Sequence, residues 1–284
     1  MKDSHSAKFL VQFWGVRGSI PSPGKGTVRY GGNTSCVEMR IDGHHLIFDG
    51  GTGLRVLGKS LMKESPLEAC LFFTHSHWDR IQGFPFFPPA FLPENHLHIY
   101  GASASTGASM KQRLGDQMLH QHFPFPMQAM QSQLQFYNLS PGEIVKLGEV
   151  TIETGSLNQF DRAIGYRVTW RGYTAVYATD TEHLAECLNP NLLHLANRAD
   201  LLIYDAAYTR QQYCDAKFLE VDWGHSTWKA GVEVAKAAEV KQLVMSHHDP
   251  DHDDDFLDQI ETQVKSVFPA GLLAREGMII QLNG

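Results

Sequence analysis

Four short polar clusters hold the side chains of this 284-residue chain that could do chemistry: His75-Ser76-His77-Trp78-Asp79, Thr179-Asp180, Gly224-His225-Ser226 and Ser246-His247-His248-Asp249. Imidazoles and carboxylates are natural donors to zinc, iron or manganese, and one carboxylate can bridge two such ions. In the first cluster His75, His77 and Asp79 alternate with Ser76 and Trp78. Alternate residues of an extended loop can converge on one ion while those between them point away. Taken alone, this H-x-H-x-D spacing reads equally well as surface histidines beside a carboxylate. The other three clusters shift the balance toward a shared cation site.

The clusters at 75–79, 179–180 and 246–249 follow predicted strands, which is where a rigid sheet presents side chains into a common cleft. Apolar alternation and short apolar runs predict strands over residues 9–16, 36–41, 45–49 and 69–73, and again over 150–154, 164–170 and 173–178. Helical spacing marks residues 54–62, 192–198 and 226–238, and strands over 201–204 and 242–245 alternate with the last two. Hairpins first and helix-strand alternation later predict mixed layers. No internal repeat or low-complexity linker divides the sequence, so one domain over residues 1–284 is expected. The Pro- and aromatic-rich stretch 84–93 and the Gln-, Met-, His- and Phe-rich stretch 116–136 read as surface loops, with a lid or loop insertion around 101–136. The sequence leaves open whether 116–136 closes over the site or supports a homodimer.

Seven ordered stretches span almost the whole chain: Phe13-Trp14-Gly15-Val16-Arg17-Gly18-Ser19, Tyr30-Gly31-Gly32-Asn33-Thr34-Ser35, Phe48-Asp49-Gly50-Gly51-Thr52-Gly53, Thr74-His75-Ser76-His77-Trp78-Asp79, Ala178-Thr179-Asp180, Trp223-Gly224-His225-Ser226-Thr227 and His247-His248-Asp249-Pro250. In these the chain resembles the metallo-β-lactamase superfamily, in the branch of ribonuclease Z-like and cyclic-nucleotide phosphodiesterase-like hydrolases. The resemblance implies an α/β fold, a four-layer αββα sandwich with a metal site at one edge of its two sheets. It also implies a hydrolase that uses metal-activated water against phosphorus or a carbonyl. By the same resemblance, His75 and His77 bind the first metal, Asp79 the second, Asp180 lies between them and His247 completes the second site. His225 and Asp79 become the catalytic candidates, His225 protonating the leaving oxygen or holding the scissile phosphate.

Two positions depart from the family pattern. Where it continues H-x-H-x-D-H this chain has Arg80, and where it places His before Pro the chain reads Leu157-Asn158-Gln159-Phe160. A guanidinium does not deprotonate in a protein, so Arg80 is no ligand and brings a fixed positive charge to the second site. Gln159 offers a neutral amide oxygen, a weak replacement for imidazole. The expectation is therefore one divalent cation on His75, His77 and Asp180, zinc by donor type with manganese or iron as alternatives, and a second ion disfavoured. Arg80 itself is either a substrate-binding fork for a phosphate or carboxylate, or an internal ion pair with Asp79 or Asp180.

Other candidates have plainer readings. Gly50-Gly51-Thr52-Gly53 lacks the Lys of a phosphate-binding loop and reads as a tight turn near the site. The acidic run 251–255 suits the start of a helix. His120 and His122 read as solvated loop residues, while His183 and His248 would point away from the metal if they continue a helix and a strand. Cys36, Cys70, Cys187 and Cys214 are scattered and form no C-x-x-C pair, so ordinary thiols are expected.

The formal net charge of -7 gives no broad attraction to phosphate backbones or anionic lipid. A small phosphoester or nucleotide is the expected substrate, with neither a long nucleic acid nor a membrane as partner. No apolar run is long enough to cross a bilayer and residues 1–8 are polar, which reads as a cytoplasmic protein.

Overall fold

The computed structural model describes residues 8–104, 106–121, 123–157, 163–181, 188–205 and 226–283. The first half of the chain forms β1 (Phe9–Gly15), β2 (Cys36–Ile41), β3 (His44–Phe48), α1 (Gly53–Leu61), β4 (Glu68–Phe73), α2 (Trp78–Ile81), β5 (His96–Ala102), α3 (Met110–Asp116) and β6 (Gln133–Leu139). The second half forms β7 (Ile144–Leu147), β8 (Val150–Ser156), β9 (Ile164–Trp170), β10 (Tyr173–Ala178), α4 (Pro190–Ala196), β11 (Leu201–Asp205), α5 (Trp228–Ala237), β12 (Gln242–Ser246), α6 (Asp254–Val267), β13 (Gly271–Leu273) and β14 (Ile279–Gln281). Among the described residues these strands form two seven-stranded sheets, ordered β14-β1-β2-β3-β4-β5-β6 and β13-β12-β11-β10-β9-β8-β7.

The pleat explains the layers. In β4, Cys70 and Phe72 enter the cluster between the sheets, while Ala69, Leu71 and Phe73 join the outer cluster with Leu54, Leu57 and Leu61 of α1 and Met110 and Leu114 of α3. In β11, Leu201 and Ile203 face the first sheet, while Leu202 and Tyr204 pack with Leu192, Val232 and Leu257 from α4, α5 and α6. Period-two alternation with both faces apolar requires cover on both sides, and helices provide it on each outer face. This is the four-layer αββα sandwich that the resemblance implied. Among the described residues no helix is long and apolar enough to cross a membrane.

The Pro-rich stretch after α2 departs from the expected surface loop. It folds as two 3-10 turns, Phe84–Phe86 and Pro88–Phe91, and buries Phe84, Phe87 and Ala90 in the outer cluster of the first sheet. Proline fixes φ and removes a donor, which favours such short turns and leaves the intervening aromatic rings to pack inward. Residues 133–136, read as part of a loop, open β6, the edge strand that pairs in parallel with β5. The acidic run does start a helix: Asp253 caps α6, its side chain accepting from the Phe256 N–H. Cys36 and Cys70 are buried free thiols, and Cys187 and Cys214 lie outside the described residues.

Candidate metal centre

Strand ends on one rim of the sandwich supply the polar side chains. Asp49 follows β3, His75 follows β4 by two residues, Asp180 follows β10 by two residues, Asp205 ends β11, and His247 follows β12. Asp49, Asp180 and His247 all adopt left-handed backbone conformations, with φ of 58°, 56° and 62°. Such conformations are uncommon for residues other than glycine and persist where surrounding structure imposes them. Here the imposed turn redirects each side chain at the rim of the sheet.

His75, His77 and Asp180 offer ligand atoms that all lie within 4.8 Å of one another, and so do Asp180, Asp205 and His247. His75 Nε2 is 3.8 Å from Asp180 Oδ2, and the His75 and His77 rings meet edge to face with centroids 4.2 Å apart. Thr74 Oγ1 lies 2.9 Å from His75 Nδ1, which fixes the ring with Nε2 toward Asp180. Across the site, His247 Nδ1 is 3.8 Å from Asp79 Oδ2 and 3.2 Å from Ser35 Oγ, and its Nε2 is 4.0 Å from Asp180 Oδ1. A Cβ added at Gly18 would stand 2.7 Å from the His247 ring, so this close approach requires glycine. Donors distant in sequence thus share one pocket, with Asp180 common to both halves.

Arg80 lies in the midst of this carboxylate cluster and is fully buried. Its Nη2 donates to Asp180 Oδ2, its Nη1 donates to Asp49 Oδ2 and to Tyr177 Oη at 3.2 Å each, and its Nε is 3.5 Å from Asp79 Oδ2. Burial works against the guanidinium charge, but Asp180, Tyr177, Asp49 and Asp79 together raise its pKa well above the ordinary value. The substrate-gripping role considered for Arg80 is not the one these surroundings favour. A fork enclosed among the chain's own acidic groups is an internal ion pair.

Asp49 completes the arrangement. It accepts from the Thr74 N–H at 2.9 Å, from Thr74 Oγ1 at 3.0 Å and from Tyr177 Oη at 2.9 Å. Complete burial pushes its carboxyl up to about 6, against the pull of Arg80 and these hydrogen bonds. The Gly50 N–H donates to the Arg80 carbonyl, the Gly83 N–H to the Gly50 carbonyl, and a Cβ at Gly51 would stand 2.4 Å from the Asp79 carbonyl oxygen. The glycine-rich turn therefore holds α2 by direct backbone contact.

Sequence reasoning missed Asp49, Tyr177 and Asp205 as members of the site. Asp205 is fully buried and its Oδ2 accepts the Asp180 N–H at 3.1 Å, helping to fix the turn that carries Asp180. The signal existed for both aspartates, since each is a carboxylate at a strand end, the same criterion that selected Asp180. His248 is turned away from the site: its Nε2 lies 2.8 Å from the Ala274 carbonyl oxygen, and burial lowers its pKa to about 3. His120 is exposed. Gln159, His225, His122 and His183 lie outside the described residues.

Residues 34–248 match the beta-lactamase superfamily domain. The chain belongs to that superfamily. Within it, the ribonuclease Z of Archaeoglobus fulgidus is 23% identical to this chain over 320 aligned positions, covering 97% of this chain and 98% of the relative. Among solved structures, the metallo-β-lactamase fold protein YhfI from Bacillus subtilis superposes with a TM-score of 0.71 at 20% identity, over 97% of this chain and 100% of that one. A diphosphatase of the PhnP family gives a TM-score of 0.69 at 16% identity, over 96% of this chain and 97% of that one. The superfamily fold implies a divalent cation, and the donor set fits one: two imidazoles and a carboxylate within reach of a single ion suit zinc and other first-row metals.

Proposed function

We propose that this chain is a metal-dependent hydrolase of small phosphoesters or nucleotides, working with one divalent cation held by His75, His77 and Asp180. The observation that carries the reading is Arg80, whose guanidinium joins Asp49, Asp79 and Asp180 and already supplies a positive charge beside Asp79. A second cation there would meet a fixed, fully buried like charge, which is strongly unfavourable at low local dielectric.

A divalent cation supplies Lewis acidity, bringing the pKa of water down to about 7 and drawing charge from a phosphoryl oxygen. The chain's own groups fix the geometry for it. Thr74 and Asp205 orient His75 and Asp180, while Arg80 holds Asp79 and Asp180 in register. His225 is assigned the proton for the leaving oxygen, and Gln159 a weak carbonyl contact to the ion. Zinc is the first choice, with manganese or iron as alternatives. The net charge of -7 supports a small substrate over a long nucleic acid.

Metal analysis of the purified chain, paired with turnover of bis(p-nitrophenyl) phosphate in added zinc or manganese, tests this directly. About one ion per chain and metal-dependent turnover are expected. Metal at background together with no turnover under either supplement would overturn the reading. That pair of results would favour instead a catalytically silent binding module, a reading that gains its support from the hold of Arg80 on Asp180 Oδ2, the oxygen nearest His75.

A further inference from the structure

A cleft of about 400 Å³ opens between the start of α1, helix α2 and the segment that follows α3. Its walls include Trp78, Phe86 and Phe123, with Arg55, Gln82 and Gln117 among its polar residues. Trp78, the residue between His77 and Asp79, is 62% exposed, and Phe86 is 53% exposed. Phe86 and Phe123 meet edge to face with centroids 5.3 Å apart. Large rings open to solvent within a concave site cost hydration without stabilising the core, and they mark ligand sites.

The polar groups narrow the ligand. Arg55 is exposed and, among the described residues, its side chain has no hydrogen bond or ion pair, so a cation stands at the cleft of an acidic chain. Gln117 donates its Nε2 to the Ile81 carbonyl at 3.1 Å, which leaves Oε1 to accept from a ring or exocyclic N–H. An aromatic face, an amide acceptor and an unneutralised guanidinium together suit a planar nitrogen heterocycle that carries a phosphate. Bases stack on aromatic side chains, and a guanidinium fork matches phosphate oxygens.

We infer that this cleft binds the base and phosphate of a nucleoside monophosphate unit, with Trp78 as the stacking platform and Arg55 as the phosphate contact. The inference rests on the hydrolase reading only for what becomes of the phosphate, because binding in the cleft needs no metal. Isothermal titration of the metal-free full chain with AMP, and separately with ribose 5-phosphate, tests it. Trp78→Ala should weaken AMP about tenfold and leave ribose 5-phosphate unchanged. Arg55→Gln should weaken both ligands about threefold or more. Thermal unfolding of each variant confirms that it is folded, and Arg55→Gln, an exposed change, keeps the test valid if Trp78→Ala is not. AMP affinity unaltered in both folded variants, or no AMP binding by the parent chain, would overturn the inference. Turnover of bis(p-nitrophenyl) phosphate by the metal-loaded parent reports separately on the hydrolase reading, so the two failures are distinguishable.

Discussion

Replacing Arg80 by methionine removes a fully buried cation while keeping most of its volume, and leaves Asp49, Asp79 and Asp180 facing one another. Breaking a buried ion pair by deleting one partner costs about 3–5 kcal/mol, because the remaining charge stays buried and uncompensated. For a domain this large each kcal/mol moves Tm by about 2–4 °C, so Arg80→Met should lower it by roughly 10 °C at neutral pH. The loss should depend on pH with a definite sign. Burial pushes the Asp49 carboxyl up to about 6 even with Arg80 beside it, and removing that attraction raises its pKa further. A carboxyl whose folded pKa lies above its unfolded value binds more protons when folded, so stability falls as pH rises through that window. The variant should accordingly approach the parent at about pH 5 and fall away from it toward about pH 8. Added zinc should raise Tm more in the variant than in the parent, since a cation then replaces the missing charge. Differential scanning calorimetry across pH, with and without zinc, gives all three quantities. A Tm loss that is small and constant with pH would refute the assignment of Arg80 as the counter-charge of this cluster.

Arg80→His combined with Gln159→His restores both imidazoles and should raise metal content from at most one ion toward two per chain, measured by atomic emission; an unchanged content would break the residue assignment. His77→Ala should bring metal to background while His247→Ala leaves it near the parent level, whereas equal losses would place the ion between the two halves of the site. His45 lies between Glu38, 2.8 Å from its Nδ1, and Glu64, 3.1 Å from its Nε2. Burial opposes its charge, yet Glu38 and Glu64 prevail over burial and Arg40 and raise its pKa. Its contribution to stability should be complete below about pH 6 and decline as pH rises through the elevated value. The stability difference between the parent and His45→Gln in urea should shrink over that rise, and a constant difference would count against the pairing.

Much of this fold can be read from the chain because its strands carry apolar residues on both faces. Residues 164–170 and 173–178 were predicted as strands and are β9 and β10, and Tyr166, Val168 and Tyr177 lie in the core between the sheets. The β6 edge escaped because an edge strand needs no apolar run: Gln133, Gln135 and Asn138 face solvent on a strand that, among the described residues, is hydrogen-bonded to one neighbour. The buried aromatic residues of 84–91 escaped because proline marks turns without saying whether the rings between them pack inward. For the site, histidine and aspartate spacing identifies the donors that the structure brings together, while Asp49 reads only as the last residue of the 45–49 strand. What sequence could not supply was direction. Asp49, Asp180 and His247 all take left-handed conformations, with Asp180 meeting His247 and Asp49 meeting Arg80, and no local pattern announces that outcome.

Arg80 also bears on why a site of this kind can lose a ligand without losing its shape. Three buried carboxylates require positive charge nearby, whatever its source, because their mutual repulsion is poorly screened away from water. A metal ion supplies that charge and also a vacant coordination position, whereas a guanidinium supplies the charge and directional N–H donors alone. The exchange preserves the electrostatics that hold Asp49, Asp79 and Asp180 together, since Arg80 donates to Asp49 and Asp180 and forms an ion pair with Asp79. It removes Lewis acidity from that half of the pocket. On the proposed reading, any hydrolytic chemistry is concentrated on His75, His77 and the shared Asp180. Under the one-cation proposal, charge balance and catalysis, which one ion would serve together, fall separately to a side chain and a single remaining cation site.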